Sequence, residues 1–279
     1  MNGAALTSPA RDAKNEGLIA VLYNARWIIA AWAPIIVLLL AWESLSQSGL
    51  VTPFALPAFS AVIERIFHDG ATGDLFINVG LTLYRTMVGY GIASVLGVLL
   101  GVGMARQPIT HWFFDPIISV GFPMPKIAFL PIIVLWLGFF DVSKITMVAF
   151  NTIFPIVTAT VVGIHGVEKE LIWSARALGT SERRLLPDVI FPAALPQILT
   201  GLQIALPIAL VVDIITEMAM GGYGVGGAMQ TASRFADSRG VFAGIIETTV
   251  VGYTIIKGMA ILRRRLLSWH QEASDPSTA

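Results

Sequence analysis

Long apolar runs separated by short polar intervals lay out the 279-residue chain. A bilayer core takes about 20 consecutive apolar residues as a helix, and the pattern predicts six spans. The first, Trp27 to Trp42, is short but bracketed by tryptophans suited to the two interfaces. The second runs from about Ile77 to Ala105, the third from about Trp112 to Leu137 and the fourth from about Val142 to Ile164. The fifth covers about Ile190 to Met220 and the sixth about Val241 to Leu262. Between the first two, Glu43 to Asp74 is polar and proline-bearing, with SAVIERIF predicting a short amphipathic helix outside the bilayer. The longest polar interval inside the apolar region, Glu168 to Pro196, predicts two short helices joined at Gly179 and then a proline-marked re-entry at Pro187 and Pro192.

Composition agrees with an all-α integral membrane protein. Hydrophobic residues make up 55% and charged residues 13%, about half the roughly 25% charge of soluble domains, and mean hydropathy is +0.75. The length fits one domain. It comprises an N-terminal segment over 1–26, the membrane domain over 27–265 with the polar hairpin at about 168–188, and a tail over 266–279. A formal net charge of zero argues against nucleic acid as a partner. Without cysteine there are no disulfides, thiol chemistry or cysteine metal sites. His68, His111, His165 and His270 stand singly and read as surface or interfacial histidines, with no metal spacing.

Residues before Arg26 lack a signal-peptide core, so the N-terminus is expected to be retained and cytoplasmic. Counting cations then orients the chain. The inner set is Arg11, Lys14, Arg26, Arg106, Lys169, Arg176, Arg183, Arg184, Arg263, Arg264 and Arg265, eleven of the eighteen Lys and Arg. The outer set is Arg65, Arg85, Lys144, Arg234 and Arg239. Both termini and the hairpin therefore fall on the cytoplasmic side of the cell (inner) membrane.

Glycines crowd the second span, and Gly97 with Gly101 forms a small-xxx-small pair that reads as close helix packing rather than gating. Pro123, Pro125 and Pro131 interrupt the third span, and Pro155 sits in the fourth. Broken helices at membrane depth persist only where protein or water satisfies the freed backbone, which makes these two spans pathway candidates.

The chain contains no GK dipeptide and hence no P-loop, and no HExxH or GxSxG. A membrane-embedded enzyme is thereby disfavoured, and any ATP would be hydrolysed by another chain. Ionisable residues inside spans are functional candidates because burying them is costly; here they are Lys126, Asp213, Glu217, Glu247 and Lys257. Asp213 and Glu217 lie four apart, on one helix face. They fit a cation or proton site of an ion-coupled secondary transporter. The favoured reading has Glu217 serving backbone groups of the GGYGVGG turn at Gly221 to Gly227, with Asp213 paired inside the bundle. Lys126 is placed to meet an anionic substrate or to pair with Asp213 or Glu217.

In the hairpin, Leu171, Ile172, Ala175 and Leu178 recur at helical spacing and form one apolar face. Gly179 ends that helix in a left-handed conformation, and Thr180 or Ser181 caps the next, with Glu182 in its first turn. An apolar face rimmed by Arg176, Arg183 and Arg184 suits docking into a partner's groove. It equally suits a helix lying on anionic lipid.

This stretch resembles the cytoplasmic EAA loop of ATP-binding-cassette (ABC) importer permeases, patterned EAA, three residues, Gly, nine residues, I-x-L-P. Trp173-Ser174-Ala175 stands at EAA, Gly179 at the glycine and Val189-Ile190-Phe191-Pro192 at I-x-L-P, with Trp173 replacing the glutamate. The resemblance extends from about Pro57 to Trp269 and is strongest to the nitrate, sulfonate and taurine group. It is carried by TLYRTMVGYGIA (Thr82 to Ala93), FPMPKIAFLPIIVLWLGF (Phe122 to Phe139), the run from Ser174 to Leu206, TEMAMGGYGVG (Thr216 to Gly226) and the ending RRRLLSWH. It implies a type I importer permease (MetI-like) fold, with no cofactor bound by this chain. It further implies a second copy, a periplasmic solute-binding protein, and ATPase subunits that hold ATP and Mg. Leu171, Ile172, Trp173, Ala175, Arg176, Leu178, Gly179 and Arg183 are the expected ATPase-coupling residues. Lys126, Pro131, Asp213 and Glu217 are the pathway candidates. The solute is expected to be a small anion such as nitrate, taurine or an alkanesulfonate.

Overall fold

The structure, a computed structural model, describes residues 32–269 and is helical in all its regular elements there. It divides into two compact units, up to Glu64 and from Arg65 onward.

In the first unit an apolar helix α1 (Trp32–Gln47) leads through a turn into the start of α2 (Phe59–Thr72). Glu43 organises the connection: its carboxylate accepts from the Ser60 hydroxyl at 2.8 Å and the Ser60 N–H at 3.1 Å. Negative charge is thereby placed at the start of α2, where free backbone N–H groups favour it. Trp42 donates from its indole to Pro57 O at 2.9 Å. The first predicted span lies partly outside the described residues, and α1 by itself is shorter than a full crossing.

The second unit holds α3 (Asp74–Arg106), α4 (Pro108–Gly121), a 3₁₀ turn (Lys126–Phe129), α5 (Leu130–Leu137) and α6 (Asp141–His165). It continues with α7 (Lys169–Ala177), α8 (Glu182–Leu185), one π-turn (Leu186–Ile190), α9 (Phe191–Met220), α10 (Val225–Arg234) and α11 (Ser238–Leu266). Among the described residues, four helical runs are long and apolar enough to cross a bilayer: α3, α6, Glu182–Met220 and α11. Counting α4 with the 3₁₀ turn and α5 as one bent span makes five.

The expected break in the third span is present, and its halves meet at 97°. Pro123 and Pro125 lie in the break, whereas Pro131 sits in the first turn of α5, where a missing N–H costs nothing. The fourth span is not broken, since α6 runs through Pro155 uninterrupted. α6 is wedged between α3 and α9, which make its most extensive contacts, and that packing holds the helix across the lost hydrogen bond.

Close approach of α3 to α6 depends on glycine. A Cβ on Gly97 would sit 2.9 Å from Ile156 Cγ2, and one on Gly101 2.6 Å from Thr160 Cβ. The packing reading of this pair is what the structure shows. Along α3 the buried positions Thr82, Thr86, Gly89, Ala93, Gly97 and Gly101 recur every three or four residues, forming a stripe of small and polar side chains.

Candidate functional site

Two groups of polar side chains stand out in this apolar bundle. One is an ion cluster where α3, α6 and α9 meet the loop between α9 and α10. The other is the hairpin α7–α8 at the opposite end of α9.

The cluster is built on α9, whose last two turns carry Asp213 and Glu217, both fully buried. Glu217 accepts from Arg85 Nη1 at 2.5 Å, from Thr82 Oγ1 at 2.9 Å and from the Gly226 N–H at 3.0 Å. The predicted contact between Glu217 and the glycine turn is thus made. Arg85 reaches further, with Nε donating to Asp141 Oδ1 at 2.9 Å and Nη1 also donating to Tyr223 O at 2.7 Å. One guanidinium therefore joins α3 to α6, α9 and the loop, using the fan of donors that suits arginine to such a junction. Lys144 of α6 donates to Gly221 O at 3.1 Å. Val225 N–H donates to Thr82 Oγ1 at 3.0 Å and Gly224 N–H to Asn78 Oδ1 at 2.9 Å. Gly224 has φ +125°, and a Cβ there would run into the Glu217 carboxylate. Asp213 accepts from Thr86 Oγ1 at 2.8 Å, while its Oδ1 has no partner among the described residues.

Lys126 does not join this cluster and pairs with neither carboxylate, contrary to one expectation. It lies in the bend of the third span. Its Nζ donates to Phe122 O at 3.0 Å and Met124 O at 3.5 Å and stands 4.7 Å from the centre of the Phe154 ring. The break in the helix frees those carbonyls, and they hold the ammonium. Pro131 starts α5 one turn further on.

The hairpin folds for local reasons. Gly179, at φ +88°, lets Thr180 N–H reach Ala175 O and Gly179 N–H reach Arg176 O, closing α7 in a Schellman arrangement. Ser181 stands at the start of α8, but its hydroxyl makes no cap. Arg176 instead clamps the two helices through a bidentate pair to Glu182, at 2.7 and 3.1 Å, and is committed inside the hairpin. After α8 the chain does not turn back at Pro187 and Pro192. It continues through the π-turn straight into α9, with Phe191 N–H donating to Leu186 O. Two prolines five residues apart withhold the donors of the normal α ladder, and the wider turn accommodates them.

The predicted single apolar face divides in two. Ile172 and Ala175 pack inward against Ile164, Val167, Leu185, Ile190 and Ala194. Leu171, Trp173 and Leu178 project outward, at 44%, 58% and 87% exposure. Arg183 is also exposed. Beside them a groove of about 370 Å³ runs between Leu171, Ala175 and Leu178 on one wall and Val189, Pro192 and Ala193 on the other, with Trp269 at its end.

Residues 93–268 match the model of the binding-protein-dependent transport system inner membrane component family. The chain belongs to this family. The permease is 30% identical to the taurine transport system permease protein TauC of Escherichia coli (strain K12), over 92% of this chain and 98% of that protein. It is 31% identical to the putative aliphatic sulfonates transport permease protein SsuC of Bacillus subtilis (strain 168), over 87% and 88% of the two. Its fold matches a chain of the solved MetNI methionine ABC transporter in inward-facing conformations, with TM-score 0.54 at 18% identity, over 68% of this chain and 98% of that one. The expected MetI-like fold is therefore the observed one.

Sequence reading missed Arg85, Lys144, Thr82, Thr86 and Asn78 as members of the cluster. Arg85 and Lys144 had been assigned to outer loops and helix ends, yet both are buried. A signal for the threonines was present. Asn78, Thr82 and Thr86 continue the four-residue stripe of Gly89, Ala93, Gly97 and Gly101, so the polar positions lie on the packed face.

Proposed function

We propose that this permease forms the membrane pathway of an ATP-driven importer for a small organic oxyanion, with sulfonates the favoured class. A periplasmic binding protein delivers the solute, and separate ATPase subunits dock on the α7–α8 hairpin. One observation carries the docking reading: Leu171, Trp173 and Leu178 stand largely in solvent at the tip of a polar hairpin whose inner face is packed. Large apolar side chains exposed together mark an interaction site. Trp173, in place of the usual glutamate, gives that contact an aromatic anchor. The chain brings no ATP site of its own, and ATP with Mg is bound by the partner.

The charge count supports both termini and the hairpin lying in the cytoplasm. Arg85 and Lys144 are core residues and leave the outer set, so Arg65, Arg234 and Arg239 stand against eleven inner cations. The glycine loop Gly221–Gly227 then faces the periplasm. Sulfonate preference draws on the relatives named for taurine and aliphatic sulfonates, and on Lys126, an ammonium at the helix break facing carbonyls and a ring rather than a carboxylate. The secondary-transporter alternative gains no support, because Glu217 is occupied by Arg85, Thr82 and the loop.

The test is uptake into proteoliposomes holding the permease with its cognate ATPase and binding protein. Labelled taurine or an alkanesulfonate should accumulate only when ATP is enclosed with the ATPase domains and the binding protein is outside. Uptake that persists without ATP and collapses with a protonophore would reject the proposal.

A further inference from the structure

We propose that Arg85 is a positioning residue that latches the Gly221–Gly227 loop as the outer closure of the pathway, and that transport requires this loop to be released. The inference rests on the orientation and importer reading proposed above.

The segment comprises four loop residues and the first turn of α10, whose N–H groups have no partner within the helix. Five of its backbone polar groups are taken by side chains from three helices. Asn78, Thr82 and Arg85 of α3 hold Gly224 N–H, Val225 N–H and Tyr223 O. Lys144 of α6 holds Gly221 O, and Glu217 of α9 holds Gly226 N–H. Its conformation is thus dictated by the relative placement of α3, α6 and α9. Gly221, Gly222 and Gly224 all adopt positive φ, so the segment is held in shape by its neighbours and can take up others at low steric cost.

Arg85 is the residue that reads all three neighbours together, through Asp141 at the start of α6, Glu217 on α9 and the Tyr223 carbonyl. Separation of α6 or α9 from α3 breaks its bonds to helix and loop in one event. Such coupling gives two discrete arrangements, latched and released, rather than a graded deformation. Above the latch Tyr223 is 69% exposed and, with Asp74, Asn78, Phe235 and Asp237, borders an open cavity of about 450 Å³. A solute arriving from outside would meet this surface first.

The absence of cysteine makes a direct test possible. Asn78→Cys and Tyr223→Cys, joined by a reducible methanethiosulfonate cross-linker in the complete complex with ATPase and binding protein, would hold the loop on α3. Uptake, and the ATP hydrolysis stimulated by loaded binding protein, should fall roughly tenfold or more and recover on reduction, as gating by a closed loop requires. The same double-cysteine complex left unbridged is the reference for both rates. Uptake unaffected by an intact bridge would overturn the proposal. In parallel, Arg85→Gln should retain the ATPase on purification but hydrolyse ATP without binding protein several-fold faster than wild type, because the latched state is no longer favoured. Arg85→Lys should restore part of the control. A correctly assembled Arg85→Gln complex with ordinary basal hydrolysis and ordinary stimulation would also contradict the latch. Failure of the importer reading would appear separately, as no ATP-driven uptake by the unmodified complex.

Discussion

At the residue scale the protein is defined by a few charges that lipid would not tolerate singly. Arg85 and Glu217 are buried and 2.5 Å apart, and breaking such a pair by removing one partner costs about 3–5 kcal/mol. Arg85→Gln and Glu217→Gln should each lower the unfolding midpoint of the detergent-solubilised permease clearly. The double variant should lose less than the sum, because neither charge is then stranded; additive losses in a thermal melt would argue against the pairing. Glu217 was legible in the sequence because its partner turn follows within ten residues. Arg85 was not, since its partners lie 56 and 132 residues away and an arginine near a helix end looks the same as an interfacial one. Lys126 was visible as an intramembrane cation, but its carbonyl ligands appear only once the third span bends.

The elements follow from local chemistry more readily. Gly179 closes α7 at φ +88°, a conformation costing about 1–2 kcal/mol for a residue with a Cβ. Gly179→Ala should therefore weaken the hairpin by about that amount while leaving the membrane bundle intact, seen as faster hydrogen exchange confined to Lys169–Leu185. On α3, Gly101→Ala should destabilise the fold through overlap with Thr160 and the Val157 carbonyl, whereas Gly91→Ala meets open space and should be nearly neutral. Thermal midpoints of the two variants distinguish packing from mere glycine content.

At the start of α11, outside the spans, burial opposes ionisation of Asp237. The Gly240 N–H and the Arg65 guanidinium outweigh it and hold the carboxyl below its usual value. A depressed folded value means the stabilisation is present above the ordinary carboxylate range and disappears as pH falls through the folded value. Asp237→Asn should thus cost up to about 1 kcal/mol near neutral pH, with the difference from wild type vanishing in acid. A difference that grows in acid would contradict the assignment. The long spans and the Gly179 helix end were predictable because periodicity and turn residues act within a few positions, whereas the expected Ser181 cap is not made. The 97° bend of the third span and the π-turn into α9 were not predictable, because proline marks a break without fixing its direction.

For the whole molecule, the ion cluster lies at one end of α9 and the hairpin leads directly into the other. The continuous helical run from Glu182 to Met220 would give the proposed ATPase contact on the hairpin a direct mechanical link to Glu217. Family membership could be read from ordered motifs, and the polar hairpin from its break in the apolar pattern. The division of the hairpin into an inward face, Ile172 and Ala175, and an outward one, Leu171, Trp173 and Leu178, needed the packed neighbours Leu185 and Ile190. The proposed coupling to the ATPase runs through this outward face. The most direct measurement is co-purification of the ATPase with a permease lacking Ala175–Gly179, alongside wild type, after confirming equal membrane insertion. The deletion should insert normally but recover no ATPase and no uptake; an ATPase retained at wild-type stoichiometry with normal transport would contradict that coupling.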